Sequence, residues 1–416
     1  MALNIVILAA GLGKRMYSDM PKVLHHIGGR SLISQVLKTA FLLMPSKIIV
    51  VYGHHGEKVK NKVMQDFPNN EICWVYQEQQ LGTAHALKCA LPYLDSNSAT
   101  LLLYGDVPLI SQETLDKMLD KYDGSNVVML SADTVNPEGY GRVIRNESFE
   151  IMKIVEHKDA SQSERCINEI NSGIYLFSNN FLATWLGKIN NNNKSGEYYV
   201  TDLIAIAYDN GVGIESVTTN KLYEILGVNN KRQLENLERL LQVKQANELL
   251  EKGVMLYDKT RIDIRGNLEV GVDCVIDVGC IFEGEVVIGN QVAIGAYVIL
   301  KNVIIHDGVT IKPYSIIEGA EIKHQAQIGP FSRVRPTSTI NAHAHIGNFV
   351  EVKNTELGDN SKANHLTYLG DAKVGGGVNV GAGTVTCNYD GKNKFVTNIE
   401  DNVFIGSGTM LVAPVT

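Results

Sequence analysis

The sequence predicts an α/β plus all-β protein: a strand-and-helix sheet domain, one long connecting helix and a solenoid of stacked parallel strands. Three observations carry this. Apolar runs alternate with helix-period segments through the first half. A charged, leucine-spaced run spans residues 230–252. From Ile264 onward, aliphatic residues recur every six positions. A length of 416 residues admits two or three domains, with expected bounds 1–229, 230–252 and 253–416.

In the first region, residues 4–8, 47–52, 72–76, 100–103 and 126–131 read as strands. Residues 32–43, 57–66, 83–90 and 111–122 read as helices between them. This rhythm specifies a mostly parallel sheet covered on both faces, with ligands beyond the carboxyl ends of its strands. Leu234, Leu237, Leu241, Val243, Leu249 and Leu250 then lie among Glu, Arg, Lys and Gln, and Gly253 closes the run as a C-cap. The hexads follow at Ile264, Val270, Ile276, Phe282, Ile288, Ile294 and Leu300. After a one-residue deletion they resume at Ile305, Ile311 and Ile317, and after a second slip run from Ile322 to Val352. Small or aliphatic residues dominate four positions later, as at Cys274, Val286, Val298, Ala326 and Ala344. Three hexads make one coil, and each coil buries its apolar edge against its neighbours. Residues 387–395 interrupt the repeat before Ile399, Ile405 and Leu411 restore it. An insertion on a regular scaffold reads as a binding loop. The register is still running at Leu411, so the solenoid is expected to be truncated at its C-terminus.

Composition narrows the function. A net charge of -7 argues against a nucleic-acid binder that relies on a basic surface. No apolar run reaches membrane-spanning length, and the start lacks a basic leader segment. Six scattered cysteines without a C-x-x-C pair read as reduced thiols of a cytoplasmic protein.

The first strand leads into Leu8-Ala9-Ala10-Gly11-Leu12-Gly13-Lys14-Arg15-Met16, closed by Pro21-Lys22. Two glycines let backbone N–H groups approach a ligand, and Lys14, Arg15 and Lys22 supply cations. That combination suits a triphosphate. A dinucleotide fingerprint would need a third glycine at Met16. A P-loop would need four residues between its glycines and a hydroxyl residue after the lysine. Tyr104-Gly105-Asp106-Val107-Pro108 ends another strand with a carboxylate suited to Mg²⁺, or to capping the next helix. Gln77 to Ala84 gives a polar loop and a glycine opening a helix, suited to the edge of a pyrimidine base. Gly139 to Arg142, Glu156, Asn171-Ser172-Gly173 and Gly227 to Asn230 offer neutral and acidic groups for sugar hydroxyls, although each alone is also an ordinary loop.

Together these segments, with Val155-Glu156-His157-Lys158 and Glu169 to Ile174, resemble the bifunctional N-acetylglucosamine-1-phosphate uridylyltransferase / glucosamine-1-phosphate N-acetyltransferase family. Lys14 stands where that family more often shows threonine. The resemblance implies a Rossmann-like nucleotidyltransferase domain joined to a left-handed parallel β-helix of hexapeptide repeats. It implies UTP and acetyl-CoA as co-substrates, Mg²⁺ as cofactor, and a homotrimer formed through the β-helix. Leu8, Ala10, Gly11, Gly13 and Tyr104 would line the nucleotide-sugar site, with Arg15 and Lys22 on the phosphates as catalytic cations. Gln77, Gly82 and Thr83 would read uracil. Gly141, Glu156 and Asn171 would hold the sugar, and Asp106 with Asn229 would ligate the metal.

The second half carries Arg335-Pro336, Lys353, His365-Leu366-Thr367-Tyr368, Asn379, Asn388-Tyr389 and Lys394. The cations suit a phosphate. Acetyl transfer to an amine needs a proton acceptor, and an imidazole with an ordinary pKa near ~6.5 fits that task. His365 is the candidate. His343 and His345 share an H-x-H spacing but lack a cysteine or carboxylate companion, so a zinc site is rejected. By resemblance, Arg335, Lys353, Tyr368, Asn379 and Lys394 would bind glucosamine 1-phosphate. Ala382, Asn388, Tyr389 and Ser407 would contact acetyl-CoA, with Asn388 also orienting the amine or base. Two rival readings stand: a single-activity sugar-1-phosphate nucleotidyltransferase with a structural β-helix, and a non-catalytic regulatory subunit of the same plan.

Overall fold

In the computed structural model, residues 2–11, 13–54 and 56–416 are described. Leu12, inside the expected phosphate loop, therefore lies outside the described residues. The chain forms two compact units, Met1–Glu238 and Arg239–Thr416, and the helix Lys231–Glu251 runs through the division.

The first unit is built on a nine-stranded sheet. Leu3–Ala9 lies at its centre, paired in parallel with Lys47–Tyr52 on one side and Ala99–Tyr104 on the other. The chain fills one side of Leu3–Ala9 first and then crosses to the other, which makes the switch point where ligands bind in open α/β sheets. The expected parallel sheet carries an antiparallel part, in which Arg142–Arg145 and Ile151–Val155 join the sheet through Glu169–Ser178. Glu169–Ser178, a strand the sequence pattern had not separated, runs antiparallel to both Ala99–Tyr104 and Val127–Asp133. Its register shifts between Asn171 and Tyr175, where Gly173 takes a left-handed φ of 84°. Such a bulge re-aims a side chain, here Asn171. Alternate residues of the central strand feed two cores. Ile5 and Ile7 pack with the helix Leu32–Leu42, while Val6 and Leu8 pack with Thr83–Ala90 and with Asp202–Asp209. Ser31 caps the first of these helices, its Oγ accepting from the Ser34 N–H at 3.3 Å.

The connecting helix ends as the sequence predicts. Gly253 adopts φ 88°, and the Val254 N–H donates to the Leu249 carbonyl at 3.0 Å. Within the second unit, Gln242 acts as a short piece of strand. Its Nε2 donates to the Ile264 carbonyl at 2.8 Å and its Oε1 accepts from the Ile264 N–H at 2.7 Å. Ala246 and Leu249 join the solenoid core beside it. The backbone N–H and C=O of Ile264, on the free edge of the first coil, are thereby satisfied.

From Ile262–Val270 onward the strands pair in parallel, coil upon coil. Most of the hexad aliphatics are buried, Ile264, Ile276, Phe282, Leu300, Ile317, Ile340 and Val352 all at 2% exposure or less. The architecture is a parallel β-helix, consistent with the left-handed class. The one-residue deletion after Leu300 is absorbed as a register shift, Glu283 facing Lys301 but Val286 facing Val303. One corner column carries Tyr297, Tyr314, Phe331 and Phe349 at positive φ, their rings stacked 5.1 to 5.3 Å apart.

The insertion is a small hairpin. Tyr389 and Lys394 form an antiparallel bridge, and the Asp390 carboxylate accepts from the backbone N–H groups of Lys392 and Asn393. The Phe395 N–H donates to the Asn388 carbonyl at 2.9 Å and closes its base.

Candidate active sites

At the carboxyl ends of Leu3–Ala9 and Ala99–Tyr104 lies a cavity of about 470 Å³. Leu8, Ala10, Gly11, Lys22, Gln77, Gly82, Thr83, Tyr104, Asp106 and Asn229 all line it. Gln80 and Glu197 line it too and were not singled out from sequence. Gln80 sits in the same polar loop as Gln77, and its Nε2 donates to the Ala10 carbonyl at 2.7 Å, holding the loop after the first strand. The two loop glycines differ in what they do. A Cβ on Gly11 would meet nothing within 4 Å, so its missing side chain leaves room for a ligand. A Cβ on Gly13 (φ 62°) would lie 2.8 Å from the Lys22 Cβ, so Gly13 folds the loop back against Lys22. Gly13, Gly141, Glu156 and Asn171 do not line this cavity, and neither does Arg15. It is exposed in the short turn Lys14–Met16 and lines neither this cavity nor the smaller one beside it, which Lys14 lines.

Gln77 is buried, its Nε2 reaching the Gly82 carbonyl at 3.2 Å and the His85 Nδ1 at 3.0 Å. Gly82 (φ 121°) passes so close to Tyr198 that a Cβ would fall 2.5 Å from its carbonyl. Thr83 accepts from the Val200 N–H at 3.0 Å. These contacts tie the polar loop to the 197–200 segment.

Gly141, Glu156 and Asn171 come together although they sit on separate strands or strand ends. A Cβ on Gly141 would lie 3.6 Å from Asn171 and 3.7 Å from the Glu156 carboxyl carbon. Asn171 Oδ1 accepts from the Tyr175 hydroxyl at 2.9 Å and from the Gly173 N–H at 3.1 Å. Glu156 accepts from the Thr201 hydroxyl at 3.2 Å, and burial raises its pKa. The same burial raises the pKa of Tyr104, with Glu156 and Asp106 adding to it, so Tyr104 stands between the two clusters.

Lys22 defines the electrostatics. Its ammonium forms an ion pair with the Asp106 carboxylate and donates to Asn229 Oδ1 at 3.3 Å, with side-chain exposures of only 13% and 17% for the ion pair. The Val228 N–H donates to the Asp106 carbonyl at 2.9 Å and holds the two segments together. One carboxylate and one amide oxygen thus already converge on a cation. Two hard oxygen donors of this kind fit a divalent ion that completes its shell with phosphate oxygens. Among the described residues no group of three or more His, Cys, Asp or Glu side chains could hold a metal by itself.

In the solenoid the candidates stack in columns. Arg335 lies over Lys353, and Lys353 pairs with Gly370. Glu351 pairs with Tyr368, and the Arg335 guanidinium donates to Glu351 Oε1 at 3.0 Å. Gly370 is what lets the Tyr368 ring fold along this column, since a Cβ there would lie 2.3 Å from the Tyr368 hydroxyl. His365 and Asn379 occupy the other strand ladder. His365 is exposed at the end of Lys362–His365, opposite Asn348, and Asn379 stacks on Lys362. Burial lowers the His345 pKa, with Lys312, Lys362 and His365 nearby adding to the effect. Ala382 and Ser407 meet on successive coils, the Ala382 carbonyl accepting from the Gly408 N–H at 2.7 Å. Tyr389 and Lys394 are exposed on the insertion, whereas Asn388 is buried at its base. A single chain therefore does not gather all of the acetyl-site candidates on one face.

Next to Glu156, Asp202 opens the helix Asp202–Asp209 with its pKa raised to about 6, by burial first and then by Asp159. A carboxyl that holds its proton more tightly when folded contributes stability below about pH 4 that is lost as the pH rises through about 6. Asp202→Asn is therefore expected to raise the unfolding midpoint of the first unit at pH 8 and to give no gain at pH 4. Both tryptophans, Trp74 and Trp185, lie in that unit, so their fluorescence reads it directly. An equal gain at both pH values would contradict the assignment.

The comparisons follow the geometry. A family model of the MobA-like NTP transferase domain matches residues 5–253. The bifunctional protein GlmU of Chromobacterium violaceum is 51% identical over 414 residues, covering 100% of this chain and 90% of that protein. That of Nitrosospira multiformis is 51% identical over 414 residues, covering 99% and 89%, and that of Acinetobacter baylyi 50% over 416 residues, covering 100% and 90%. These matches span the sheet, the connecting helix and the solenoid, and the chain belongs to the bifunctional GlmU family of uridylyltransferase–acetyltransferases.

Proposed function

We propose that the two activities divide between the two units, uridylyl transfer in the sheet unit and acetyl transfer on the solenoid. The observation that carries the first is the convergence of Lys22, Asp106 and Asn229 at the wall of one cavity with Gln77, Gly82 and Thr83. Gln77 and the Gly82–Thr83 backbone hydrogen-bond the uracil edge, and the Gly11 amide region accepts the phosphates. Gly141, Glu156 and Asn171 hold N-acetylglucosamine 1-phosphate so that its phosphate oxygen attacks the α-phosphorus in line. We assign Mg²⁺ to Asp106 and Asn229, where, when bound, it would neutralise charge on the phosphates. Lys22, freed from its carboxylate partner, turns to the departing pyrophosphate. Arg15 reaches the phosphates only if its turn closes over the bound nucleotide.

On the solenoid, Arg335, Lys353, Tyr368, Asn379 and Lys394 bind glucosamine 1-phosphate. His365 takes the proton as the amine nitrogen bonds to the thioester carbonyl carbon, and the carbon–sulfur bond breaks to release the thiol of coenzyme A. Ala382, Tyr389 and Ser407 contact acetyl-CoA. The division of these residues between two strand ladders supports a homotrimer in which neighbouring chains complete each site. Six free cysteines and these substrates suit the cytoplasm.

The test is paired: pyrophosphate release from UTP, Mg²⁺ and N-acetylglucosamine 1-phosphate with glucose 1-phosphate as control acceptor, and thiol release from acetyl-CoA with glucosamine 1-phosphate. Asp106→Ala is expected to abolish the first and spare the second. Near-normal UDP-sugar formation by this variant in Mg²⁺ would refute the role given to Asp106.

His365→Ala is expected to cut acetyl transfer by about 10²-fold or more while uridylyl transfer continues. Most of the thiol release persisting at neutral pH would make His365 a structural residue.

Gly370→Ala is expected to push the Tyr368 hydroxyl off its column and raise KM for glucosamine 1-phosphate by about tenfold, the worth of one hydrogen bond. An unchanged KM would remove Tyr368 from the binding site.

A further inference from the structure

Asp371 is a carboxylate that neither reaction described above uses, buried to 8% exposure at a corner with φ 48°. Among the described residues no cation pairs with it. Side-chain amides hold it instead: Asn354 Nδ2 donates to Oδ1 at 2.6 Å, and Asn388 Nδ2 donates to Oδ2. Its backbone is equally committed. The Asp371 N–H donates to the Lys353 carbonyl at 3.0 Å, and the Asp371 carbonyl accepts from the Thr397 N–H at 3.1 Å. One residue thus touches both feet of the insertion, Asn388 where it leaves the solenoid and Thr397 where it returns. It also sits directly on the coil that presents Lys353.

We infer that Asp371 is the positioning residue of the acetyl-transfer site, acting through Asn388. This role rests on Asn388 orienting the attacking amine, as the family resemblance implies. A carboxylate with both oxygens accepting has only acceptors to offer, so only the Nδ2 end of the Asn388 amide can face it. This fixes the polarity of that amide and leaves Oδ1 as the end available to a substrate N–H. The charge-assisted bond is stronger than a neutral one and holds the side chain in a single orientation. An asparagine at 371 would present both a donor and an acceptor, and the Asn388 amide could then turn over. The amine would meet a donor where it needs an acceptor.

The experiment uses the full chain with Asp371→Asn, Asn388→Ala and the double variant, each assayed for both transfer reactions. Asp371→Asn is expected to lower kcat for acetyl transfer by about 10- to 100-fold, the scale of a misplaced catalytic group. KM for acetyl-CoA and the rate of uridylyl transfer should stay within about twofold of wild type. Added to Asn388→Ala, Asp371→Asn should cost nothing further, because both remove the same oriented amide. A purely structural role would instead make the two losses multiply and would move both KM values with kcat. That result, or a wild-type kcat for Asp371→Asn, overturns the inference while leaving the acetyltransferase reading in place. Absence of acetyl transfer from the wild-type chain would defeat that reading, and the inference with it.

Discussion

Parallel backbone pairing at a nearly fixed sequence offset is the constraint on which the second unit depends. Ile262 faces Cys280, 18 residues on, and Lys362 faces Asn379, 17 residues on. Each coil can satisfy its strand N–H and C=O groups only through the coils above and below. A side chain at a given corner is therefore repeated, in position, once per coil. The aromatic column from Tyr297 to Phe349 and the polar column Thr337, Asn354, Asp371 and Asn388 both follow from this geometry. Across the insertion Asn379 faces Phe404, 25 residues on, so the next coil is eight residues longer and yet returns to the same columns. The extra chain costs the scaffold little because its two feet are fixed by the coil beneath.

The sheet unit meets a different constraint. Parallel strands deliver their carboxyl ends to one edge, and each must be followed by a loop on that edge. Gly11 and Gly13 follow one strand and Asp106 the neighbouring one, so the cationic loop and the carboxylate are adjacent by topology rather than by sequence. The Lys22–Asp106 pair then satisfies two charges that would otherwise be left half-buried and alone.

How much of this was legible in the sequence differs between the units for a physical reason. The solenoid is one-dimensional, so a six-residue period read along the chain is the fold, and even the deletion after Leu300 appears as a register shift where the period slips. The period says nothing about the corners, where Tyr314, Asn354 and Asp371 take positive φ at non-glycine residues. Asp371 was missed because its meaning lies in residues 17 positions away on either side. In the sheet unit the parallel strands were readable as apolar runs, but Glu169–Ser178 was not, because Asn171, Ser172 and Gly173 break its pattern at the bulge that serves the site. Ten of the nucleotide-site candidates line the cavity because motif residues at strand ends are placed by topology. Arg15 does not, since it stands exposed on the short turn Lys14–Met16.

These two modes of construction give the two sites different dependence on their surroundings. The cavity of the sheet unit draws its walls from loops of one sheet edge, and Tyr104 in its wall feels both Asp106 and Glu156. A column on a solenoid face is flat by comparison. Arg335 and Lys353 repeat a charge along the axis but, lying in one column, do not by themselves enclose a substrate. Enclosure on such a surface requires something that departs from the repeat. The eight-residue hairpin is that departure, and it carries the buried Asn388 at its base and the exposed Tyr389 and Lys394 beyond it.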